Sequence, residues 1–396
     1  MNAPLILPRD EGWSDHEYVR FAAEQGPVVR DRHGIFITFS HAHMQQLVDP
    51  RLTRQMETET MALQGLDSGP VYDLFRNSML FANGTAHANR RAPLARSFSI
   101  PLVRHLRERL RTLADDLVNE ALQEGEIEFR DRIGGTLAAR TIALVLGVPR
   151  ADLPHITRLV YSAIRALSVR SAGVLAEASA DLEALNAYVE DLLRDHETAG
   201  AKDFLAAYLK RTGCSELSGT EIRMQIVTLL LAGSETTRGA LTSTVSQLMQ
   251  NRDQWSLLCS DPDTHITGAV AEGLRYDPVI GALIRVAAKD LVFEGVAIPE
   301  GSLIGPLVVS ALRDPAVYDR PDTFDITRGD HPRWHPVFGA GEHRCLGEAL
   351  ARVEMEEALD ALRRLAPDIE LSGPPPQIRG LGATRTVGEM MCRLAS

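Results

Sequence analysis

Phe338-Gly339-Ala340-Gly341-Glu342-His343-Arg344-Cys345-Leu346-Gly347 is the stretch on which the reading of this chain turns. Glycines at 339 and 341 permit backbone angles closed to other residues, so the loop can curl around the sulfur of Cys345. The helical pattern that follows runs toward Pro367 and aims its free N–H groups and positive dipole end back at that cysteine, favouring thiolate over thiol. Gly347 leaves room for a flat cofactor to lie close. A lone cysteine is most often a small buried hydrophobe. One delivered by a glycine-punctuated loop to a helix start is a candidate metal-binding thiolate.

Working outward from that loop, helical periodicity predicts helices over residues 102–122, 154–168, 177–195, 219–250, 265–276 and 346–366. The segment 219–250 opens on Ser218-Gly219-Thr220-Glu221, a capping-box signature, and contains no proline. Ile226, Val227, Leu229, Leu230, Leu231 and Ala232 make it apolar on every side, so it is expected to cross the interior and to wall a cofactor pocket. Two β-rich runs between Pro27 and Phe39 flank Arg32-His33-Gly34, and a second β-rich region covers Leu291–Val309 with a turn at Pro299-Glu300-Gly301. The fold class is mainly α with a small β portion.

Polar residues interrupt the long helix at Ala232-Gly233-Ser234-Glu235-Thr236-Thr237. Glycine there loses about 1 kcal/mol to alanine, and an unpaired buried polar group costs a few kcal/mol more. Read alone, the segment is a face turned to solvent, a kink, or a functional site. Glu272-Gly273-Leu274-Arg275 places an acid and a base on one helical face. By itself such a pair is a surface bridge worth a few tenths of a kcal/mol.

The 396 residues carry a formal net charge of −11, which argues against broad nucleic-acid binding and for solubility. No stretch reads as a linker, so a single domain over 1–396 is expected. The opening Ala3-Pro4-Leu5-Ile6-Leu7-Pro8 is too short to span a bilayer and carries two prolines, so no membrane anchor is expected and a cytoplasmic location is. Cys214, Cys259, Cys345 and Cys392 show no paired spacing, which fits a reducing compartment and argues against a cysteine-based zinc site.

The run 338–347, the interrupted helix at 232–237, Glu272–Arg275 and Phe324-Asp325-Ile326-Thr327-Arg328 together resemble the cytochrome P450 family, in that family's order and over nearly the whole chain. The resemblance implies a P450-like domain whose long central helix lies over haem b, iron protoporphyrin IX, with Cys345 as axial ligand to the iron. It implies that Glu235 and Thr236 relay protons to dioxygen, with a glycine widening the helix groove there. His87, Arg91, Arg285 and His343 would hold the haem propionates, Phe338 would contact the cofactor, and Glu272, Arg275 and Arg328 would brace the haem's proximal side. The activity implied is that of a soluble bacterial monooxygenase, which inserts one oxygen atom of dioxygen into an apolar substrate and reduces the other to water. No flavin- or nicotinamide-binding segment is recognisable, so electrons are expected from a ferredoxin and its ferredoxin reductase. Docking is expected on a basic patch of Arg90, Arg96, Arg344 and Arg352.

Substrate contacts are expected from Met56–Phe81, Arg158–Arg170, Val227–Ala232 and Val279–Ile284, mostly aliphatic, which suggests a hydrophobic small molecule. Arg158 and Arg165, seven residues apart, are either solvated surface arginines or holders of a substrate carboxylate. The family pattern breaks in two places. The connection 329–337 is longer than usual by about two residues, and the turn near Gly382–Val387 lacks the usual apolar triplet. A peroxide-driven haem enzyme is the alternative in the same family, disfavoured because Glu235 and Thr236 are both present. A cysteine-nucleophile hydrolase would need an oriented base, which His343 does not resemble.

Overall fold

Residues 219–250 form a helix with the predicted bounds in the computed structural model, which describes residues 3–6, 12–98, 100–167, 172–199 and 203–395. Its start is set by a reciprocal cap. The Glu221 N–H donates to Ser218 Oγ at 3.2 Å, and the Ser218 N–H donates to the Glu221 carboxylate at 2.9 Å. With no proline to break the hydrogen-bond ladder, the helix runs for about 48 Å at the α-helical rise. Met224 to Leu231 is an unbroken buried run, as expected, but Ala232 is exposed. Ala232 thus interrupts the buried run.

In chain order the elements that position the site are β1 (Val28–Arg30), β2 (Phe36–Thr38), β3 (Thr53–Gln55), α1 (Gly84–Ser97), α2 (Ile100–Glu124), a π-helical turn at Arg130–Gly135, α3 (Thr136–Leu146), α4 (Leu153–Ala163), α5 (Ala172–Ala199), α6 (Gly219–Gln250), α7 (Pro262–Tyr276), β4 (Arg285–Ala287), β5 (Leu303–Pro306) and α8 (Glu348–Leu365). Around α6 pack α3, α7 and the π-helical turn, while α8 lies along α2. Leu359 and Leu362 of α8 are fully buried in the core they share with Leu117 of α2 and Leu241 of α6. Truncating either to alanine is worth about 2 to 5 kcal/mol by the usual cost of such a cavity. No helix among the described residues is long and apolar enough to cross a membrane.

The larger sheet runs β1-β2-β5-β4-β3, and only the β2–β5 pair is parallel. Arg32-His33-Gly34 does turn β1 into β2. The region 291–309 holds one more turn than expected, because Leu291–Phe293 pairs with Val296–Ile298 across Glu294-Gly295, both at positive φ. The helix expected at 154–168 ends at Ala163 and continues as a 3-10 turn to Leu167. Residue 168 lies outside the described residues, as do Leu7 and Pro8 of the opening segment and 168–170 of the expected substrate segment.

Among the helices that escaped periodicity, two did so for opposite reasons. In α1 the polar and basic residues run all round and Pro93 interrupts them, so there is no apolar stripe to read. In α3 nearly every residue is buried, so there is no polar face to contrast with.

Candidate active site

The cysteine loop closes on itself. Gly339 and Gly341 sit at φ +68° and +59°, and the turn they allow lets the Cys345 N–H donate to the Phe338 carbonyl at 2.7 Å. Trp334 Nε1 donates to the Gly339 carbonyl at 2.8 Å, and Arg91 of α1 donates to the Arg344 carbonyl at 2.5 Å. A Cβ on Gly347 would stand 3.9 Å from the Cys345 sulfur, so the turn into α8 passes close beside it. Cys345 is exposed at its surface yet surrounded by protein on most sides, as befits a residue that faces a cleft. Burial pushes its thiol up, and the N–H groups of Gly347 and Glu348 pull the other way. Thus the helix start favours thiolate as expected, but burial outweighs it until a cation binds.

Four basic side chains converge here, His87 and Arg91 from α1, Arg285 from β4 and His343 from the loop itself. His87 and His343 have ring centroids 4.1 Å apart, and the Nε2 of each is buried without a hydrogen-bond partner. Burial pulls His343 down to about 3, helped by the charges of His87, Arg285 and Arg91. Arg285 is pulled down to about 10 by burial, and it is braced from β3, where Thr53 Oγ1 and Gln55 Oε1 each accept from it at 3.0 Å. Arg91 is likewise lowered by burial and raised by the Cys345 charge. His87, His343 and Glu342 bring ligating atoms within 4.8 Å of one another, a trio of metal-ligand type. The neighbouring arginines make an anion the better guest than a cation there.

This basic cluster with orphaned imidazole nitrogens, facing a cysteine held by a glycine loop, fits a flat cofactor that carries acidic groups and a metal. The fit is chemical. A metal suits the thiolate, and carboxylates suit two arginines and two imidazole N–H donors. Phe338 stands elsewhere than its neighbours in that set. It is buried inside the loop, with the Arg352 guanidinium 4.9 Å above its ring and His335 5.9 Å away. A separate cleft of about 350 Å3 opens beside Cys345, lined by Phe98, Val103, Leu346, Glu348, Ala349 and Arg352. None of the four basic residues lines it.

On α6 the expected acid and alcohol do not touch each other. Thr236 Oγ1 donates to the Ala232 carbonyl at 2.9 Å. Glu235 is ion-paired with Arg238 of its own helix, and Arg238 reaches Asp131 at 2.7 Å. Gly233 has a packing reason: a Cβ there would lie 3.3 Å from Ile142 of α3. Val227, Leu230 and Leu231, expected as substrate contacts, are core residues at 2% exposure or less, which leaves Ala232 as the exposed position of that segment.

Glu272 and Arg275 are both fully buried on α7 and joined by two bonds, at 2.7 and 2.8 Å. Arg275 also donates to the carbonyls of Leu312, Pro321 and Thr323. Arg328 completes the group at 3.3 Å from Glu272, as the sequence suggested, and His331 stands 3.7 Å away. The lengthened connection 329–337 thus turns His331 toward this network. His335 is buried beside it and pulled down to about 3 by burial and by the charge of Arg352.

Two further expectations are corrected. Arg90 belongs to no free patch, because it is bonded to Glu221 at the start of α6 and to the Arg76 carbonyl. Arg344 and Arg352 share Glu348, at 2.7 and 3.4 Å. Arg158 and Arg165 are spanned to Asp181 and Glu177 of α5, each at 3.0 Å, so both serve as interhelical bridges. Near the last hairpin, Arg385 is buried between Asp15 and Asp277, a double ion pair where the apolar triplet was missed.

The sequence model of the cytochrome P450 family matches residues 174–380. The plant-inducible cytochrome P450-pinF1 of Rhizobium radiobacter is 39% identical over 372 residues, covering 93% of this chain and 87% of that protein. Cytochrome P450 107B1 of Saccharopolyspora erythraea is 30% identical over 393 residues, covering 95% and 94%. Among solved structures, CalO2 superposes with a TM-score of 0.88 over 96% of both chains at 27% identity.

Proposed function

Because the chain belongs to the cytochrome P450 family and is a haem-dependent monooxygenase, we propose that Cys345 is its iron ligand and that His87, Arg91, Arg285 and His343 hold the propionates of haem b. The observation that carries this assignment is the convergence of four basic groups, His87 and Arg285 buried and Arg91 and His343 half-buried, two with orphaned nitrogens, on the side of a glycine-held cysteine. When bound, haem supplies dioxygen activation and oxygen-atom transfer. The protein's part is binding, orientation and proton supply. Arg285, fixed by Thr53 and Gln55, presents its guanidinium already oriented, so little side-chain entropy is lost on binding a carboxylate.

Thr236 and Glu235 are proposed to supply protons at the α6 face, Thr236 from beside the exposed Ala232 and Glu235 from its ion-pair network. The exposed Ala232, one turn before Thr236, is the position where substrate approaches the helix. An apolar small molecule suits such a position. For electron supply we propose a separate ferredoxin and its reductase. The cleft beside Cys345, edged by Arg352 and near Arg344 and Arg96, supports docking of an acidic partner there. A single haem domain with no membrane anchor and a cytoplasmic location complete the reading.

The test is spectroscopic. Parent protein, reduced under carbon monoxide, is expected to show the strongly red-shifted band of thiolate-ligated haem, and Cys345→Ser is expected to lose it. Retention of that band in the serine variant would assign the ligand to another residue and sink the site.

A further inference from the structure

Arg385 sits where three parts of the chain meet. Its Nη2 donates to Asp15 Oδ2 at 2.9 Å, at the start of the N-terminal helix Asp15–Glu24, and its Nη1 donates to the carboxylate of Asp277, just past the end of α7. The carbonyls of Pro278 and Ile378 accept from the same two nitrogens at 2.8 and 3.0 Å, and Nε reaches Asp15 at 3.3 Å. Arg385 and Asp15 are each 2% exposed. Asp15 also accepts the Gly380 N–H at 2.8 Å, and His16 Nε2 stands 3.3 Å from Asp277 Oδ1. Burial works against the charge of Asp277, but His16 and Arg385 outweigh it and hold the carboxyl below its ordinary range.

What this arginine holds is the last hairpin. Its strands, Ile378–Arg379 and Thr386–Val387, are two residues each, too short to keep their place alone. The turn between them lies along residues 279–282. There the Arg385 N–H donates to the Val279 carbonyl at 2.8 Å, the Ala282 N–H donates to the Gly382 carbonyl at 2.9 Å, and Ile280 bridges Thr384. The approach leaves no room for a side chain on Gly281, whose Cβ would stand 2.5 Å from the Gly382 oxygen. Both stretches rest on α6, where a Cβ on Gly239 would lie 2.9 Å from Val279 Cγ1 and 3.1 Å from Val387 Cγ2. Gly239 is three residues beyond Thr236 and so its neighbour on the helix surface. Along the hairpin Thr384 and Thr386 are exposed while Arg385 is buried, the two-residue alternation of an extended chain. Apolar packing has no direction, whereas a guanidinium fork with fixed acceptors does.

We propose that Arg385, fixed between Asp15 and Asp277, is a positioning residue for substrate selection: it sets how closely the turn 380–385 stands to α6 beside Thr236, and so the bulk of apolar molecule admitted there. This rests on the reading that substrate meets α6 between Ala232 and Thr236. The staple adds to it what decides the size of that molecule.

Imidazole, 1-butylimidazole and 1-octylimidazole serve as probes, each titrated into haem-loaded protein and read as a red shift of the main absorption band. In Arg385→Leu the ratio of octylimidazole to imidazole affinity is expected to change about tenfold, the scale on which pocket contacts discriminate, with imidazole itself within about twofold of the parent. Amide exchange at Ala282 is expected to quicken in the same variant, in haem-free and haem-loaded protein alike. Arg385→Lys is expected to fall between, because an ammonium offers no fork. Faster exchange with an unchanged affinity ratio would make Arg385 a structural residue only and overturn the proposal, and unchanged exchange would overturn the staple itself. Should Arg385→Leu fail to fold, Arg385→Lys and Asp15→Asn decide by the same ratio. Ala232→Phe separates the premise from the proposal. If it too leaves octylimidazole binding unchanged, the reading of substrate approach falls; if it alters that binding while Arg385→Leu does not, only the staple's role in selection falls.

Discussion

Glu272 and Arg275 on α7 have the same spacing as Glu235 and Arg238 on α6, yet the two pairs live in opposite surroundings. The first pair is fully buried, doubly bonded, and roofed by three carbonyls and a second arginine. Every donor on Arg275 has an acceptor, so the pair has nowhere to move. The second pair is 21% and 16% exposed and anchored on one flank through Asp131. One spacing therefore yields a brace where desolvation is complete and a partly exposed contact where it is not. Spacing on a helix sets who can meet; burial sets whether they can part.

The largest expected effect falls on the buried pair. Glu272→Ala leaves Arg275 buried without its anion, a loss of about 3 to 5 kcal/mol. Little folded, haem-loaded protein is expected on expression and haem quantitation. Normal haem content and thermal midpoint in that variant would erase the distinction between the pairs.

Glu235→Gln is expected to reverse the pattern, with thermal stability within about 1 kcal/mol of the parent and turnover lowered about 10²-fold, the low end of acid–base contributions. Thr236→Ala should keep haem, substrate binding and electron consumption, but product per electron should fall and hydrogen peroxide rise in parallel assays. Unchanged coupling in Thr236→Ala would make that hydroxyl a structural helix residue.

Acid stability sharpens the comparison further, because the buried side also holds His335. Its folded pKa of about 3 lies below the ordinary 6.5, so its neutral burial contributes stability that is present above pH 6.5 and is lost as pH falls toward about 3. His335→Gln is expected to flatten that limb of a plot of unfolding free energy against pH. An identical slope in parent and variant would assign the acid sensitivity elsewhere. The smallest effect belongs to Arg158→Ala, where an exposed bridge to Asp181 is worth under about 0.5 kcal/mol, with substrate binding unchanged. A large loss of substrate affinity there would restore Arg158 as a contact.

Much of the site was legible before any coordinates. Cys345, His343 and the glycines lie within ten residues and declare one loop, and Ser218 with Glu221 declares the start of α6, because caps and tight turns are local chemistry. Glu272 with Arg275 could be seen, and Arg328 inferred from the resemblance. Arg238 could have been seen too, since it stands three residues from Glu235 on a helix already recognised. Its partners Asp131 and Tyr161 could not: they arrive from a π-helical turn and from α4, and no periodicity links them to residue 238.

By itself, the sequence determined the elements, the cysteine loop and the pairs that neighbour one another along a helix, since those follow from short-range geometry and hydrogen bonding. Tertiary structure alone decided which arginines were free. Arg90, Arg158 and Arg165 look alike in the chain and each finds a carboxylate across a packing interface. It also decided that Val227 belongs to the core while Ala232 is exposed, and that one acid–base pair is sealed while its twin is only partly buried. Desolvation is a property of what packs around a group, and that surrounding is assembled from residues far apart in the chain.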